Sequence, residues 1–595
     1  MAISTYSKAK TKKKTNSNSV TEKVKGHESF SVPNFGGGYS LKLTPADCLE
    51  RFLVLGTEGM HYNIGDVSNL LPEHTKNIVS LVGKNPDLVI NKIKEISSQK
   101  RALSNDPAIY ALALCASHPK LEVREKALSI LPEVCRTGTH LFHFAEMVNG
   151  MRGWGRGLRT AISNWYNNRS WDNLVYQTLK YRQRDVWSHK DLLILSHPRF
   201  DASNLKGRNH NYNQIKETIA LKNGLANYIV NRKEDSNDKA TETLMNLCKN
   251  AEESKGSKQI LAFIEIQSWK ESEKSKEQKS RLIKLIEFAS LTHEMIPTWF
   301  KNDPEVQEAL LQEMPLGATI RILNQMTASG LIKPFSPVIP IIEKRLTDPE
   351  LLRKTGTHPL QVFTAKAIYD SGHGLSGNLT WKPETKISGI LEDCFDLSFT
   401  TAPATNKNFL FSVDVSGSMS SPITKMDTKT RKYITYPFTY CDIAACIALA
   451  MVKREPNSYA MCFSNQLNHL PYTKNTSLNE AVKMAKKFNT GTTNAGLPIE
   501  YAIQNKLPVD CFVHITDNDY NTGKHPLTLT EQFRKKMDLP KTRLMSVGLT
   551  PVGYGTVGFA KETDPYSLDV HGFDPSIPTI IQKFCSDTAL VEEED

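Results

Sequence analysis

The chain has 595 residues, which is more than one hydrophobic core of roughly 250 to 300 residues accommodates, so we expect at least two domains. With 39% hydrophobic residues and no uninterrupted apolar run of roughly 18 residues, the composition excludes a membrane-spanning protein. The formal net charge of +11 is compatible with an anionic partner, but dispersed lysines also give solubility. The distribution of the charge along the chain decides between these two interpretations.

The N-terminal residues 1–30 are polar and rich in Lys, Ser, Thr and Asn, which predicts a disordered basic tail. They lack the apolar core of a secretory signal, so we expect a cytoplasmic protein. The run KAKTKKK is equally compatible with a nuclear import signal and with a solvated tail. The ten cysteines form no CxxC pair, and many lie within apolar runs, which predicts reduced, mostly buried thiols rather than disulfides or a zinc site.

From about residue 45 to 370 the pattern is helical. In VREKALSILPEVC (123–135), for example, apolar residues recur at spacings of three and four. Proline and glycine interrupt this pattern every 15 to 25 residues. Successive helix pairs of this kind are typical of HEAT-like repeats, although no fixed period is visible. We therefore predict a helical domain over 31–385.

After about residue 385 the pattern changes to strand-like runs that alternate with helical stretches. This alternation predicts a second domain over 386–595, an α/β domain with a doubly wound parallel sheet that helices cover on both faces. The predicted strands are FLFSVDV (409–415), YAMCFS (459–464), CFVHITD (511–517) and RLMSVGL (543–549), and the predicted helices include 441–454 and 478–488.

An acid and two hydroxyls, Asp414, Ser416 and Ser418, follow the first buried strand directly. Ligands of parallel sheets bind outside the carboxyl ends of the strands. Mg²⁺ prefers oxygen ligands, so this turn supplies half a metal site. Thr493, in the loop NTGTTNAG, and Asp517, at the end of another predicted strand, lie at the same edge and are candidates for the rest.

No catalytic set is recognisable. The chain has neither a GxSxG elbow, nor HExxH, nor a GxxxxGK[ST] loop. GYGTVG (553–558) matches GxGxxG, but Pro565 and an aperiodic stretch follow it, so the phosphate-binding helix is missing and a turn is the better interpretation. We predict that the protein is not an enzyme.

Basic and aromatic residues are concentrated in 151–210. This segment has eleven Lys or Arg against four Asp, a net charge of +7, and four of the seven tryptophans, at 154, 165, 171 and 187. Basic groups neutralise phosphates and aromatic rings stack on unpaired bases, so the combination indicates single-stranded nucleic acid. For each tryptophan taken alone, a place in the core between helices is the favoured interpretation.

The charges in this segment also lie close together. Lys180, Arg182 and Arg184 come near the end of one predicted helix. Ser188 and Asp191 form an S-x-x-D capping pattern for the next helix, which places His189 and Lys190 in its first turn. The positive dipole end and exposed amides of a helix start bind phosphate, so we expect both side chains to add to such a site.

The α/β domain resembles von Willebrand factor A domains, through DVSGSMS, the threonine loop and the strand that ends at Asp517. The resemblance implies Mg²⁺ or Mn²⁺ held by Asp414, Ser416, Ser418, Thr493 and Asp517, with an open position for an acidic residue of a protein partner. The chain departs from the usual pattern at GTTN, where an acid more often follows the threonine. It also carries the insert SPITKMDTKTRKYITYPFTY, which is long enough to shield the metal, and a degenerate domain without metal is the alternative.

A second resemblance covers roughly 45–585. MRGWGRGLRTAISNWY, YRQRDVWSHKDLLILSH, LERFLVLGTEG and CRTGTHLF resemble the Ro autoantigen family, RNA-binding proteins whose helical domain is shared with telomerase and vault proteins. It implies a ring of HEAT-like helices closed by the A domain, with Y RNAs on the outer basic surface and 3′ ends of misfolded RNAs in the central hole. The implied role is noncoding-RNA quality control. The RNA contacts that it implies are Arg156, Arg159, Lys180, Arg182, Arg184, His189 and Lys190.

A protein that closes into a ring has little reason to self-associate, so we expect a monomer. The alternative is a scaffold protein whose A domain captures acidic partner residues, with the basic cluster a solvated face. A nuclease is a distant third, since nothing assembles a general acid and base.

Overall fold

A computed structural model describes residues 23–56, 75–184, 186–201, 212–232, 238–375, 377–399, 402–426, 433–489, 491–550 and 552–585.

The first part of the chain is helical apart from two short hairpins. Its elements are β1 (Ser31–Pro33), β2 (Tyr39–Lys42), α1 (Pro45–Leu55), α2 (Lys76–Lys84), α3 (Pro86–Ser98), α4 (Asp106–Ala116), α5 (Leu121–Ser129), α6 (Leu131–Val134), α7 (Gly138–Arg152), α8 (Arg156–Asn167), α9 (Trp171–Lys180), β3 (Gln183–Arg184), β4 (Trp187–Ser188), α10 (His189–Ser196), α11 (Tyr212–Asn231), α12 (Lys239–Asn250), α13 (Lys255–Gln267), α14 (Lys276–Ala289), α15 (Pro304–Leu311), α16 (Leu316–Ala328), α17 (Val338–Leu346), α18 (Pro349–Thr355), α19 (Pro359–Ser371) and α20 (Thr385–Leu397).

Local sequence explains many of these boundaries. Thr44 caps α1 through a capping box with Asp47, and proline occupies the first helical position, where its missing N–H costs nothing. Each helix packs mainly on helices close to it in sequence, such as α11 on α12, α12 on α13 and α13 on α14. Such nearest-neighbour packing is the organisation of helical repeats and confirms the predicted HEAT-like architecture.

The second part of the chain is the predicted α/β domain. Its elements are β5 (Phe409–Asp414), β6 (Pro422–Met426), β7 (Tyr433–Thr439), α21 (Tyr440–Val452), β8 (Ser458–Phe463), β9 (Leu467–Leu470), α22 (Leu478–Lys486), α23 (Leu497–Gln504), β10 (Cys511–Thr516), α24 (Pro526–Met537), β11 (Arg543–Gly548), β12 (Tyr554–Gly555), β13 (Ser567–His571) and α25 (Ile577–Cys585).

The central sheet has the strand order β13-β11-β10-β5-β8-β9, and only the β8–β9 pair is antiparallel. All six residues of β5 are buried, as expected for a strand covered on both faces. Every residue of α21 is buried as well, and this helix packs on β5, β8 and β10. After β5, the next strand to join the central sheet is β8, on one side of β5, and β10 joins later on the other side. The end of β5 is therefore a topological switch point, where ligands of such sheets bind.

The structure corrects the predicted end of the tail and shows how the two domains join. Strands β1 and β2 lie at the start of the predicted helical domain, and β2 pairs with β12 of the α/β domain. Part of the predicted tail is also ordered: Val24 is 2% exposed, and the Phe30 ring stacks on Phe559 at 4.8 Å. Residues 1–22 lie outside the described part of the chain, and the predicted limit at 385 falls at the start of α20, which packs on α19.

The α/β domain contacts both ends of the helical region. At one end, buried Arg51 of α1 donates to His571 Nδ1 at 3.1 Å and to the Tyr554 carbonyl at 2.9 Å. At the other end, the Phe363 ring of α19 lies 5.0 Å from the Phe438 ring of β7. Through these contacts the α/β domain closes the helical region.

Two expectations from composition can be compared with the fold. All ten cysteines are free thiols, and all but Cys48 are buried, which confirms the prediction of reduced, mostly buried cysteines. Within the described residues, no helix combines the length and the apolar character that crossing a membrane requires.

Candidate metal centre and nucleic-acid interface

The acid and hydroxyls after β5 form one tight cluster. Asp414 is fully buried; its Oδ1 accepts a hydrogen bond from the Ser416 amide at 2.9 Å, and its Oδ2 accepts one from the Thr516 hydroxyl at 2.7 Å. The hydroxyls of Ser416 and Ser418 are 3.2 Å apart. The turn thus holds three oxygen-bearing side chains at the end of the strand, as the sequence predicts.

The other two predicted residues come from neighbouring loops. Asp517 directly follows β10, the strand beside β5, and its carboxylate accepts a hydrogen bond from the Ser418 hydroxyl. Thr493 is 2% exposed, and its loop is tied to the first turn because the Gly417 amide donates to the Gly491 carbonyl at 3.2 Å. The structure therefore brings all five predicted residues to one edge of the sheet.

This cluster carries uncompensated negative charge. Burial and the neighbouring Asp517 raise the pKa of Asp414 to about 7, and burial raises the pKa of Asp517 as well. In the described part of the chain, neither carboxylate forms an ion pair. No group of three or more His, Cys, Asp or Glu side chains in the described residues is arranged to hold a metal, so a metal bound here would need the hydroxyls as ligands. Two buried carboxylates and three hydroxyls are a hard oxygen set that fits Mg²⁺.

The insert after this cluster contributes to domain closure. Its described residues form the β6–β7 hairpin, and Phe438 of β7 packs on the helical region. Residues 427–432, in the middle of the insert, lie outside the described part of the chain. That the insert shields a metal stays a prediction.

The N-terminal hairpin supports the loop that carries Asp517, which sequence reasoning missed. The Asn34 amide donates to the Tyr520 carbonyl at 2.8 Å, and the Ser40 hydroxyl donates to the Asn518 carbonyl at 2.9 Å. Asp519 accepts a short hydrogen bond from the Tyr554 hydroxyl. No local sequence pattern predicts contacts between residues nearly 490 positions apart.

Four of the predicted RNA contacts line one pocket, which we call the basic pocket, and His189 is one of the four. It has a volume of about 670 Å³ and is lined by Lys180, Arg182 and Lys190, together with Arg232 and Lys301. Among the described residues that line it, Glu294 is the one acid. Five cationic side chains against one carboxylate make the pocket strongly attractive for an anion.

Aromatic rings lie in the same pocket. The Arg182 guanidinium stands 5.3 Å from the centroid of the Phe263 ring and donates to the Glu294 carbonyl at 3.0 Å. Tyr228 also lines the pocket. Arg232, Lys301 and both rings give no signal of this pocket in the sequence, because they lie in later helices and loops that only the fold brings beside α9 and α10.

The predicted cap of α10 is confirmed, but His189 is not at the surface. The Ser188 hydroxyl accepts from the Asp191 amide, and the Asp191 carboxylate accepts from the Ser188 amide at 2.9 Å. Lys190 is exposed in the first turn, whereas His189 is 2% exposed and its Nδ1 lies 2.7 Å from the Tyr166 hydroxyl. Burial lowers the pKa of His189 to about 3, so the ring is neutral at physiological pH. His189 lines the basic pocket from the core side but, as a buried neutral ring, adds no positive charge to it. That it contacts RNA stays a prediction.

The remaining predicted contacts lie elsewhere on the surface. Arg156 lines a second groove of about 690 Å³ between α5, α7 and α8, together with Arg124 and Arg152. Arg159 and Arg184 are exposed and line neither cavity. The predicted residues thus lie in the basic pocket, in this groove, or at exposed positions outside both.

The four tryptophans of this segment fall into two classes. Trp165 and Trp171 are buried, at 1% and 7% exposure, as the core interpretation expects. Trp154 and Trp187 are partly exposed and stack on each other with ring centroids 5.5 Å apart. The core interpretation therefore holds for only half of them.

Comparisons with known proteins match both domains. Residues 34–388 match the TROVE domain family and residues 408–585 match the Ro60 vWA domain family. "RNA-binding protein RO60" of Caenorhabditis elegans is 28% identical over 611 residues, covering 95% of this chain and 91% of that protein. "RNA-binding protein RO60" of Deinococcus radiodurans is 29% identical over 557 residues, covering 93% of this chain and 95% of that protein. The crystal structure of the Deinococcus radiodurans RO (RSR) protein superposes with a TM-score of 0.63 at 28% identity, covering 91% of this chain and 99% of that one.

Proposed function

The chain belongs to the family of Ro proteins, with a TROVE domain followed by a Ro60 vWA domain, and we propose that it acts as an RNA-binding protein without catalytic activity. Its partners are small noncoding RNAs of the Y type and the single-stranded 3′ ends of misfolded RNAs. Its role is quality control of noncoding RNA. The observation that carries the proposal is the basic pocket, where five cationic side chains face one acid.

Electrostatics supports RNA as the anion. A phosphodiester chain carries one charge per nucleotide, and each lysine or arginine that neutralises a phosphate releases a condensed counterion. The basic pocket joins cationic side chains from distant parts of the sequence, and the groove beside Arg156 adds those of Arg124 and Arg152, so a chain of phosphates can follow them. Phe263 and Tyr228 add ring faces, which suit unpaired nucleotides better than duplex.

Closure of the helical region supports binding of the single-stranded 3′ ends of misfolded RNAs. The α/β domain contacts α1 and α19, so the repeats form a ring rather than an open solenoid. In this proposal Y-type RNA binds the outer basic surface, and a single-stranded 3′ end enters the ring. Unpaired bases are open to stacking and hydrogen bonding, which makes a free tail the selected feature.

The experiment is a filter-binding titration of a small structured RNA with a single-stranded 3′ tail against the same RNA trimmed flush. The wild-type protein is expected to bind the tailed RNA more tightly, and a Lys180→Ala, Lys190→Ala variant is expected to bind it more weakly. The matched control, Lys535→Ala, Lys536→Ala, removes two exposed lysines of α24 in the other domain. Equal weak binding of both RNAs by all three proteins would contradict the proposal.

We further propose that the five residues around Asp414 hold Mg²⁺, or alternatively Mn²⁺, and that the site captures an acidic residue of a protein partner. The buried carboxylates without ion pairs support this, because a bound dication supplies the missing charge. A bound dication would supply a Lewis-acidic position for a partner's carboxylate, and the chain orients its own oxygens through the Ser416 and Thr516 hydrogen bonds. Isothermal titration with Mg²⁺ tests it: wild type binds and Asp414→Ala does not, while both bind RNA equally.

A metal-dependent scaffold without specific RNA is the second candidate, favoured by the same acidic cluster. Purification from cell extract with and without ribonuclease separates the two, since a scaffold keeps its partners after digestion. We also propose a cytoplasmic monomer. The lysine run that would direct it to the nucleus lies outside the described residues. Light scattering during gel filtration measures the mass directly.

A further inference from the structure

The stacked pair Trp154 and Trp187 stands apart from the other aromatic residues of the helical region. The two indoles lie nearly parallel, with 16° between their planes, and both are partly exposed. Each ring is held at its polar edge: Trp154 Nε1 donates to the Leu195 carbonyl at 3.3 Å, and Trp187 Nε1 donates to the Glu146 carboxylate. The pair is therefore fixed in orientation before any partner arrives.

Exposed apolar side chains accompany the pair. Val186, the residue before Trp187, is 76% exposed. Met151, three residues before Trp154, is 40% exposed, and Ile194, next to Leu195, is 43% exposed. Val186 and Met151 lie within three residues of an indole in sequence, and Ile194 precedes Leu195, whose carbonyl accepts the Trp154 hydrogen bond. The feature forms an apolar patch that has a flat aromatic component.

Among the described residues, the charges near this pair in sequence are mainly positive, while Asp185, between Arg184 and Val186, lies outside the described part of the chain. Arg184 is the cross-strand neighbour of Trp187 in the β3–β4 hairpin. Lys190 follows Trp187 by three residues, and Arg152 and Arg156 flank Trp154 by two residues on either side. Glu146 is the acid in contact, and it already accepts the Trp187 hydrogen bond. A flat apolar surface with cations around it complements a nucleotide, which has a flat base and an anionic phosphate.

From this arrangement we propose that the Trp154–Trp187 pair is a stacking site for an unpaired nucleobase of bound RNA. The inference rests on the proposed RNA-binding function and adds to it a second, base-dependent site. Ser188, adjacent to Trp187, and Lys190 both line the basic pocket. A strand with one base on the tryptophans therefore places its neighbouring phosphates at that pocket.

The test uses the full chain and two single-stranded probes of equal length and charge. One is oligoadenylate and the other is its abasic counterpart, which has phosphates but no bases. Stacking on an aromatic side chain strengthens binding at least about five-fold per base, so the wild type is expected to prefer oligoadenylate by that factor. Trp187→Leu is expected to lose most of the preference while binding the abasic probe as the wild type does. The matched control, Trp269→Leu, removes another partly buried tryptophan that lines neither basic surface and keeps the preference.

A photochemical measurement on the wild type covers the case in which Trp187→Leu fails to fold. A probe with 5-iodouridine, irradiated in the complex, is expected to crosslink to the peptides that contain Trp154 or Trp187. If crosslinks form only elsewhere, or if Trp187→Leu keeps the full preference for bases, the stacking site is wrong although RNA binding stands. If neither probe binds the wild type, the proposed function itself fails. If the patch does not bind bases, a protein partner becomes its expected occupant.

Discussion

Replacing His189 tests whether this residue supports the core or contacts RNA. In the structure its Nδ1 hydrogen-bonds the Tyr166 hydroxyl, and its ring packs edge-on against Phe142 with centroids 4.8 Å apart. In His189→Ala the Tyr166 hydroxyl, fully desolvated, loses its partner, which costs about 1 to 3 kcal/mol. The cavity left by the ring adds to that cost, as in other large-to-small core substitutions. We expect a total loss of about 3 kcal/mol.

The assay is thermal and denaturant unfolding followed by tryptophan fluorescence, since the Trp165 ring lies 6.2 Å from the His189 ring and reports on this part of the core. Lys190→Ala is the matched control: it changes an exposed neighbour, so its stability is expected to stay within about 0.5 kcal/mol of wild type. RNA affinity is expected to show the opposite order, weakened in Lys190→Ala and kept in folded His189→Ala. If His189→Ala had the unfolding free energy of wild type but no longer bound RNA, the imidazole would contact RNA and the assignment to the core would be refuted.

Three further outcomes are expected. Burial holds the pKa of His189 at about 3 in the folded protein, against about 6.5 in the unfolded chain. Its contribution to the free energy of unfolding is therefore fully present above pH 6.5 and falls by about 2 kcal/mol at pH 5. Wild-type stability that is flat from pH 7 to 5 would contradict this. Asp414→Asn removes a buried charge that has no ion pair, so it should raise the melting temperature in a metal chelator and abolish any increase from Mg²⁺, as differential scanning fluorimetry would show. Arg51→Ala removes the hydrogen bonds from α1 to the α/β domain and should speed hydrogen exchange in β13, while unchanged exchange there would argue against closure by this contact.

Local patterns predicted much of the fold because they report on local physics. The buried strand at 409–414, its partner at 511–516 and the fully buried helix at 440–452 follow from runs of apolar residues. The cap at Ser188 follows from the reciprocal hydrogen bonds that S-x-x-D makes. For the same reason the acid and hydroxyl cluster could be assembled correctly: the carboxyl ends of adjacent parallel strands must meet at one edge.

What could not be predicted depends on contacts between distant parts of the chain. The pairing of β2 with β12 joins residues about 500 positions apart, and short polar strands give no signal of their partner. Lys301 enters the basic pocket from a loop that no helical period relates to α10. His189 was placed at the surface because a helix start is usually solvated, whereas here the first turn lies against α8 and only Lys190 faces out. The hydrogen bond from Thr516 to Asp414 could not be predicted either, because a single hydroxyl within an apolar strand is typical of a core position.

The most direct test of the account is the salt dependence of RNA affinity in the wild type and in Lys180→Ala, Lys190→Ala. If the basic pocket neutralises phosphates, the slope of log affinity against log salt should be shallower in the variant by about 1 to 2, and affinity should fall at low salt. The Lys535→Ala, Lys536→Ala protein should keep the wild-type slope. The same slope in all three proteins, with RNA still bound, would show that the pocket is not where the RNA lies.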